Sequence, residues 1–348
     1  MLAEILKERA LPPLRSKEEM MAVLLEEEYG HLPPQPTDLR FTVEENVIPS
    51  FCAGKAIANR VTVGCAVNGK SFSFPFMAVL PTKEGKYPFF IHINFRPDVP
   101  DRYMPTEELI DNGFAVLSFC YKDVTSDDGD FTNGLAGVLY PSGERKSNEA
   151  GKIAMWAWAA HRVMDYAETR SDLLDLSRAI VCGHSRLGKT ALLAAATDAR
   201  FAFAYSNDSG CSGAAITREK RGETVKAIMK NFPFWFAENY NKYCEKESEM
   251  PFDQHFLIAA IAPRYVCVGS AVEDVWADPE SEQLSCVAAS AAFEEKGLSG
   301  FVCPDRFAQV GECFFDGTIG YHMRAGIHYF GREDWLKLIA FFRAKTEK

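Results

Sequence analysis

No two of the ten cysteines are spaced as C-x-x-C, which removes the commonest sequence sign of a structural zinc or a catalytic dithiol. Cys120, Cys182 and Cys267 lie inside apolar, strand-like runs, where free cysteine behaves as a small hydrophobe, and reduced thiols are expected. No dense Lys/Arg block is present either. The 38 basic residues are outnumbered by 48 acidic ones, for a formal net charge of −10, and phosphate backbones are bound by clustered cations, so nucleic acid is not the expected partner. No uninterrupted apolar run reaches membrane-spanning length. The first nine residues, Met-Leu-Ala-Glu-Ile-Leu-Lys-Glu-Arg, lack the basic-then-apolar order of a secretory signal. The expectation is therefore a chain with no membrane partner, cytoplasmic as it stands and secreted if a leader has been removed. Repeats and low-complexity linkers are absent as well. What remains is 348 residues, 47% of them apolar, enough for a large core, read as a single domain over 1–348 and expected to be a monomer.

The patterns present change along the chain. Residues 1–30 have helical spacing, broken by Gly30 and the prolines Pro33, Pro34 and Pro36. Residues 40–80 alternate apolar and polar positions, with Asn68-Gly69 between two runs, the signature of antiparallel strands joined by a hairpin. From residue 89 the runs become short and continuously apolar: 89–93, 115–119, 179–182, 201–205, 265–269 and 320–323. Strands covered on both faces read this way, so a mostly parallel sheet between helix layers is expected, with helices over 152–168 and 332–345. The charged loop 123–133 suits an insertion. The segment 217–255, with Phe232, Phe234, Trp235, Phe236 and Tyr240, interrupts the strand rhythm and suggests a helical, aromatic cap.

Residues 177–196 read as strand, tight turn and helix. Two chemistries use that geometry. Gly183, Gly188, Lys189 and Thr190 fit the phosphate-loop pattern G-x-x-x-x-G-K-[ST]. Gly183-His184-Ser185 fits the front half of a nucleophile elbow, although the next glycine is Gly188 rather than residue 187. A serine nucleophile needs a base, and the base an acid to orient it. Asp274 follows the 265–269 run and His328 follows the 320–323 run, in the chain order Ser, Asp, His of the α/β-hydrolases. The phosphate loop would come unusually late for its domain, and no apolar strand ends on an acid placed to hold magnesium. The residues themselves thus favour ester hydrolysis, with no metal and no cofactor, and Lys189 near the nucleophile suits an anionic or hydroxyl-rich substrate.

Gly183-His-Ser-Arg-Leu-Gly-Lys189 resembles the G-[CH]-S-R-x-G-K signature of the glucuronoyl esterase family of carbohydrate esterases. So do Asn207–Ala215, Arg221-Gly-Glu-Thr224, Pro251–His255, Ile261-Ala-Pro-Arg264, Asp274–Pro279 and Tyr321–His328. The resemblance is to the bacterial branch and covers residues 85–340. It implies an α/β-hydrolase fold and cleavage of esters of (4-O-methyl-)glucuronic acid, as in xylan–lignin linkages. Ser185 would be the nucleophile, His328 the base, and Arg186 an oxyanion partner through both backbone N–H and guanidinium. It further implies that Lys189, Glu223 and Trp276 contact the sugar. The fungal members carry a glutamate where this chain has Asp208, so Asp274 is ranked first as triad acid and Asp208 second. His255 and Gln254 are expected to support the cap. The alternatives are an acetylxylan-type deacetylase using the same triad, a nucleotide-binding protein using the 183–190 loop, and a carbohydrate-binding relic of the fold.

Overall fold

The computed structural model describes residues 1–347. Ten strands form one sheet: β1 (Thr37–Glu44), β2 (Ala56–Val67), β3 (Lys70–Pro81), β4 (Tyr87–Asn94), β5 (Ala115–Cys120), β6 (Leu174–His184), β7 (Phe203–Asn207), β8 (Tyr265–Ala271), β9 (Cys313–Phe314) and β10 (Ile319–Arg324). Their spatial order is β1-β2-β3-β5-β4-β6-β7-β8-β10-β9. β1, β2 and β3 run antiparallel, and β2 and β3 are joined through Asn68 and Gly69 at φ 50° and 74°. Those are the left-handed angles for which an Asn-Gly pair is suited. From β5 to β10 neighbouring strands are parallel.

The parallel strands are apolar throughout because both faces are covered. Phe89, Ile91 and Ile93 of β4 enter a core with Trp156 and Leu192, while Phe90 enters a second core with Phe114 and Trp335. Helices Lys152–Thr169 and Arg186–Thr197 therefore lie on one face, and Thr106–Asp111 and Arg332–Thr346 on the other. This is the three-layer α/β-hydrolase arrangement. No helix among the described residues is long and apolar enough to cross a membrane.

Two expectations need adjustment. The strand read at 201–205 lies at Phe203–Asn207, with Phe201 buried just ahead of it. Residues 217–255 are less helical than their composition suggests. One helix, Val225–Asn231, precedes three short 3-10 helices, because Pro233 has no N–H to extend it and Phe232 instead folds flat onto Trp235, rings 4.0 Å apart. Loop 123–133 is tied down. Buried Lys152 donates to Thr125 Oγ1 at 3.0 Å, Ser126 Oγ at 3.3 Å and the Asp130 carbonyl at 2.7 Å.

Register carries the C-terminal ends of four strands to one rim. His184 pairs with Asn207, Asn207 with Gly269, and Gly269 with His322. The turns after β6, β7, β8 and β10 consequently open side by side, as they do at ligand sites of parallel sheets.

Candidate active site

Between β6 and helix Arg186–Thr197 the backbone turns at Ser185, with φ 58° and ψ −129°. A side chain held at such angles costs about 1–3 kcal/mol and persists only where the surroundings enforce it. Here the Ser185 N–H donates to the Asn207 carbonyl at 2.8 Å, and its carbonyl accepts the N–H groups of Gly188 and Lys189 at 2.9 and 3.2 Å. Two glycines make the turn possible. A Cβ on Gly183 would lie 2.2 Å from the Leu187 carbonyl oxygen, and one on Gly188 would lie 2.9 Å from Ser206 Oγ. The glycine that looked displaced in the elbow pattern thus serves close packing of helix on strand.

His328 lies on the loop after β10. Its Nδ1 is 2.6 Å from Asp274 Oδ2, which leaves Nε2 as the outward nitrogen. Asp274 is buried, its other oxygen accepting the Ala277 N–H at 3.2 Å, whereas the His328 side chain is 44% exposed. The imidazole packs 4.4 Å from the ring of His184, the residue before Ser185. His184 is itself buried and bonded through Nδ1 to Asn207 Oδ1 at 2.7 Å. Burial, reinforced by the adjacent His328, holds its pKa well below the ordinary histidine range, so it stays neutral beside the His328 ring.

Asp208 does not bond His328. One oxygen accepts the Ala271 N–H at 2.7 Å and the other an N–H of Arg324 at 3.0 Å. Burial and nearby Glu282 push its carboxyl up while Arg324 opposes them. Ligand atoms of Asp208, Asp274 and His328 lie within 4.8 Å of one another. A cation there would have to displace both the Arg324 pair and the Asp274–His328 bond.

Arg186 projects into an aromatic cradle. Its guanidinium carbon lies 4.6 Å from the ring centroid of Trp235, 5.6 Å from Phe232 and 5.7 Å from Phe95, a geometry favourable to a cation. It pairs with Asp127, which also accepts the Tyr121 hydroxyl and the Trp235 indole N–H, both at 2.7 Å. About a quarter of the Arg186 side chain, 24%, remains exposed.

Lys189 is buried one turn further along the helix. Its ammonium donates to the carbonyls of Ser209 and Cys211, each at 2.5 Å, and lies 3.8 Å from Glu223 Oε2. A lysine spent on carbonyls and a carboxylate is not disposed as in a phosphate loop. Glu223 is buried, tied to the next loop by its N–H to the Trp276 carbonyl at 3.0 Å, and Trp276 stands 53% exposed at the rim. Gln254 bonds Glu28 and Tyr29, and His255 bonds the Pro12 carbonyl. Both therefore tie the 217–255 segment to the N-terminal region.

Sequence reasoning singled out Ser185, Arg186, Lys189, Asp208, Glu223, Asp274, Trp276 and His328, but not the partners that hold them. Asn207 and Arg324 lay within noted motifs without a role, and Asp127 lay in a loop read as an insertion. Asp334 and Glu282 sit inside helices and carry no local signal.

A family model described as "Glucuronyl esterase, fungi" matches residues 63–297. Carbohydrate esterase MZ0003, from an unknown prokaryotic organism, is 40% identical over 242 residues, which are 68% of this chain and 54% of that protein. A 4-O-methyl-glucuronoyl methylesterase of Podospora anserina is 30% identical over 74% of this chain and 51% of its own length. The chain spans about half the length of these two relatives. Among solved structures, a glucuronoyl esterase from Solibacter usitatus superposes with a TM-score of 0.84 at 31% identity, covering 95% of this chain and 92% of that one. A promiscuous CE15 esterase from a marine bacterial metagenome gives a TM-score of 0.83 at 32% identity, covering 94% and 90%. With its signature turn, its sheet order and these matches in agreement, the chain belongs to the glucuronoyl esterase family, carbohydrate esterase family 15.

Proposed function

We propose that this protein hydrolyses esters of glucuronic acid, the carboxyl being on the sugar. Ser185 Oγ attacks the uronoyl carbonyl while His328 Nε2 takes its proton. Asp274 holds the imidazole in the tautomer that leaves Nε2 free to accept, and it stabilises the imidazolium that forms. The tetrahedral oxyanion is received by backbone N–H groups at the start of helix Arg186–Thr197 and by the Arg186 guanidinium. His328 returns the proton to the departing alcohol. Water then repeats the sequence on the acyl-enzyme and releases the uronic acid. The observation that carries this reading is the 2.6 Å Asp274–His328 bond, with the His328 ring packed 4.4 Å from that of His184, next in the chain to a serine held at φ 58°. Glu223 and Trp276 are the groups offered to a sugar, a carboxylate for hydroxyls and an exposed ring for a pyranose face, with Lys189 completing the charge beneath Glu223.

Turnover of a methyl glucuronate ester, compared by kcat/KM with an acetylated sugar, tests the substrate side. Faster hydrolysis of the acetyl compound would reverse the assignment. That deacetylase reading keeps a place because one similar structure is described as a promiscuous esterase. On the enzyme side, Ser185→Ala should abolish labelling by a serine-directed phosphonate. Asp274→Asn should lower kcat by about 10⁴-fold, as loss of the orienting acid does elsewhere. Asp208→Asn should cost less, and the opposite order would transfer the acid role to Asp208.

A further inference from the structure

Arg324 ends β10, and every arm of its guanidinium is engaged. Nε donates to both oxygens of Asp334 at 2.8 and 2.9 Å, Nη2 to Asp208 Oδ2 at 3.0 Å and to the Tyr329 carbonyl, and Nη1 to the carbonyls of Ala325 and Ile327 at 2.9 and 3.2 Å. Those three carbonyls bracket His328 on both sides. The loop is otherwise open to solvent, with Ile327 65% and Tyr329 40% exposed. The Tyr329 hydroxyl donates to the Arg102 carbonyl at 3.0 Å, and the Val272 N–H to the Arg324 carbonyl and the Glu273 N–H to the Gly326 carbonyl, each at 3.0 Å, join it to the loop carrying Asp274.

The geometry points to Arg324 as a positioning residue that fixes the His328 loop against Asp274, with Asp208 and Asp334 as its two counter-ions. A planar, rigid fork of five N–H donors suits this task, because it can reach carbonyls and carboxylates in several directions from one fixed centre. Burying that cation requires paired anions, which Asp208 and Asp334 supply. Asp208 therefore serves the base through the loop rather than by touching the imidazole. The inference rests on the catalytic reading of His328 but is testable without turnover.

In Arg324→Lys the positive charge is kept, but the fork is lost. The readout is the far-downfield proton resonance of His328 Nδ1, assigned by its loss in His328→Ala. We expect a folded variant, judged by circular dichroism and thermal melting, in which that resonance is lost or exchange-broadened. On the glucuronate ester kcat should fall about a hundredfold, as for small misplacements of reacting groups, with KM changed by less than about threefold. A folded variant with the resonance and kcat of the parent overturns the proposal. Should the lysine variant fail to fold, Asp334→Asn loosens the same arginine from outside the site, and an unaltered His328 resonance there overturns it equally. If the parent protein shows the resonance yet turns over no uronate ester, the substrate assignment fails while the positioning role stands or falls on the resonance alone.

Discussion

In the mechanism proposed above, a single cation beside a developing oxyanion helps only if it is held still and still has N–H groups to give. Arg186 meets the first condition through three aromatic rings and Asp127, and the second through its exposed quarter. In Asp127→Asn the ion pair is lost while the size is retained, so the guanidinium can swing away from the serine. The expected outcome is a fall in kcat of about 10–100-fold with KM little changed, the pattern of an interaction made mainly in the transition state. Steady-state kinetics on the methyl glucuronate ester measure it, and an unchanged kcat would place the oxyanion contact in backbone N–H groups alone. Arg186 was singled out in the sequence through the resemblance of the turn around Ser185 to the family signature. Asp127, 59 residues earlier, was not, since a loop has no periodicity to say which side chain it delivers or where.

At the scale of the element, the strand–turn–helix around Ser185 was the most legible part of the chain. A continuous apolar run, a glycine-flanked turn and a run of strong helix formers have few other structural solutions. Its packing tolerance was not legible, because it depends on the Leu187 carbonyl passing 2.2 Å from where a Gly183 Cβ would sit. Gly183→Ala must push the helix off the strand. It should destabilise the protein by about 3 kcal/mol or more, read as a lower denaturant midpoint, with activity falling further because Ser185 moves with the turn. A midpoint like that of the parent would mean that the turn relaxes at little cost. The segment 217–255 was misread for the converse reason. Aromatic and apolar content suggested helices, whereas the ring contacts among Phe232, Phe234 and Trp235 require the tight turns around Pro233, a tertiary preference that local propensity does not encode.

Over the whole molecule, buried ionisable groups set opposing limits on stability. Burial raises the Glu28 carboxyl to about 8 and that of Glu282 to about 7, each against hydrogen bonds that favour the charged form. The folded state holds these protons where the unfolded chain has released them, so the stability they contribute is complete near pH 4.5 and is lost as pH rises through 7 and 8. Burial lowers His92 and His322 to about 3 and His161 to about 4. These contribute fully above about pH 6.5 and lose their share on acidification. Stability should therefore peak near neutrality. Glu28→Gln should remove part of the alkaline decline, raising the melting temperature at pH 8.5 relative to pH 6 when compared with the parent. Thermal scans at both values check this, and equal shifts at the two would exclude Glu28 as a source.

The mostly parallel sheet with antiparallel strands at its N-terminal side was legible at this scale, because continuous and alternating apolar runs mark the two kinds of strand. The polar network beneath was not, since it joins His184, Asn207, Asp208, Arg324 and Asp334 from three strand ends and a helix. That network also has a bearing on how the protein matures. Asp334 belongs to helix Arg332–Thr346, so Arg324 lacks one counter-ion until that helix docks. A chain emerging from the ribosome can pair β4 to β8 and form the elbow well before then. It passes through a stage in which the serine turn exists without its ordered histidine, and the catalytic arrangement proposed above is completed as a late step in folding rather than with the sheet.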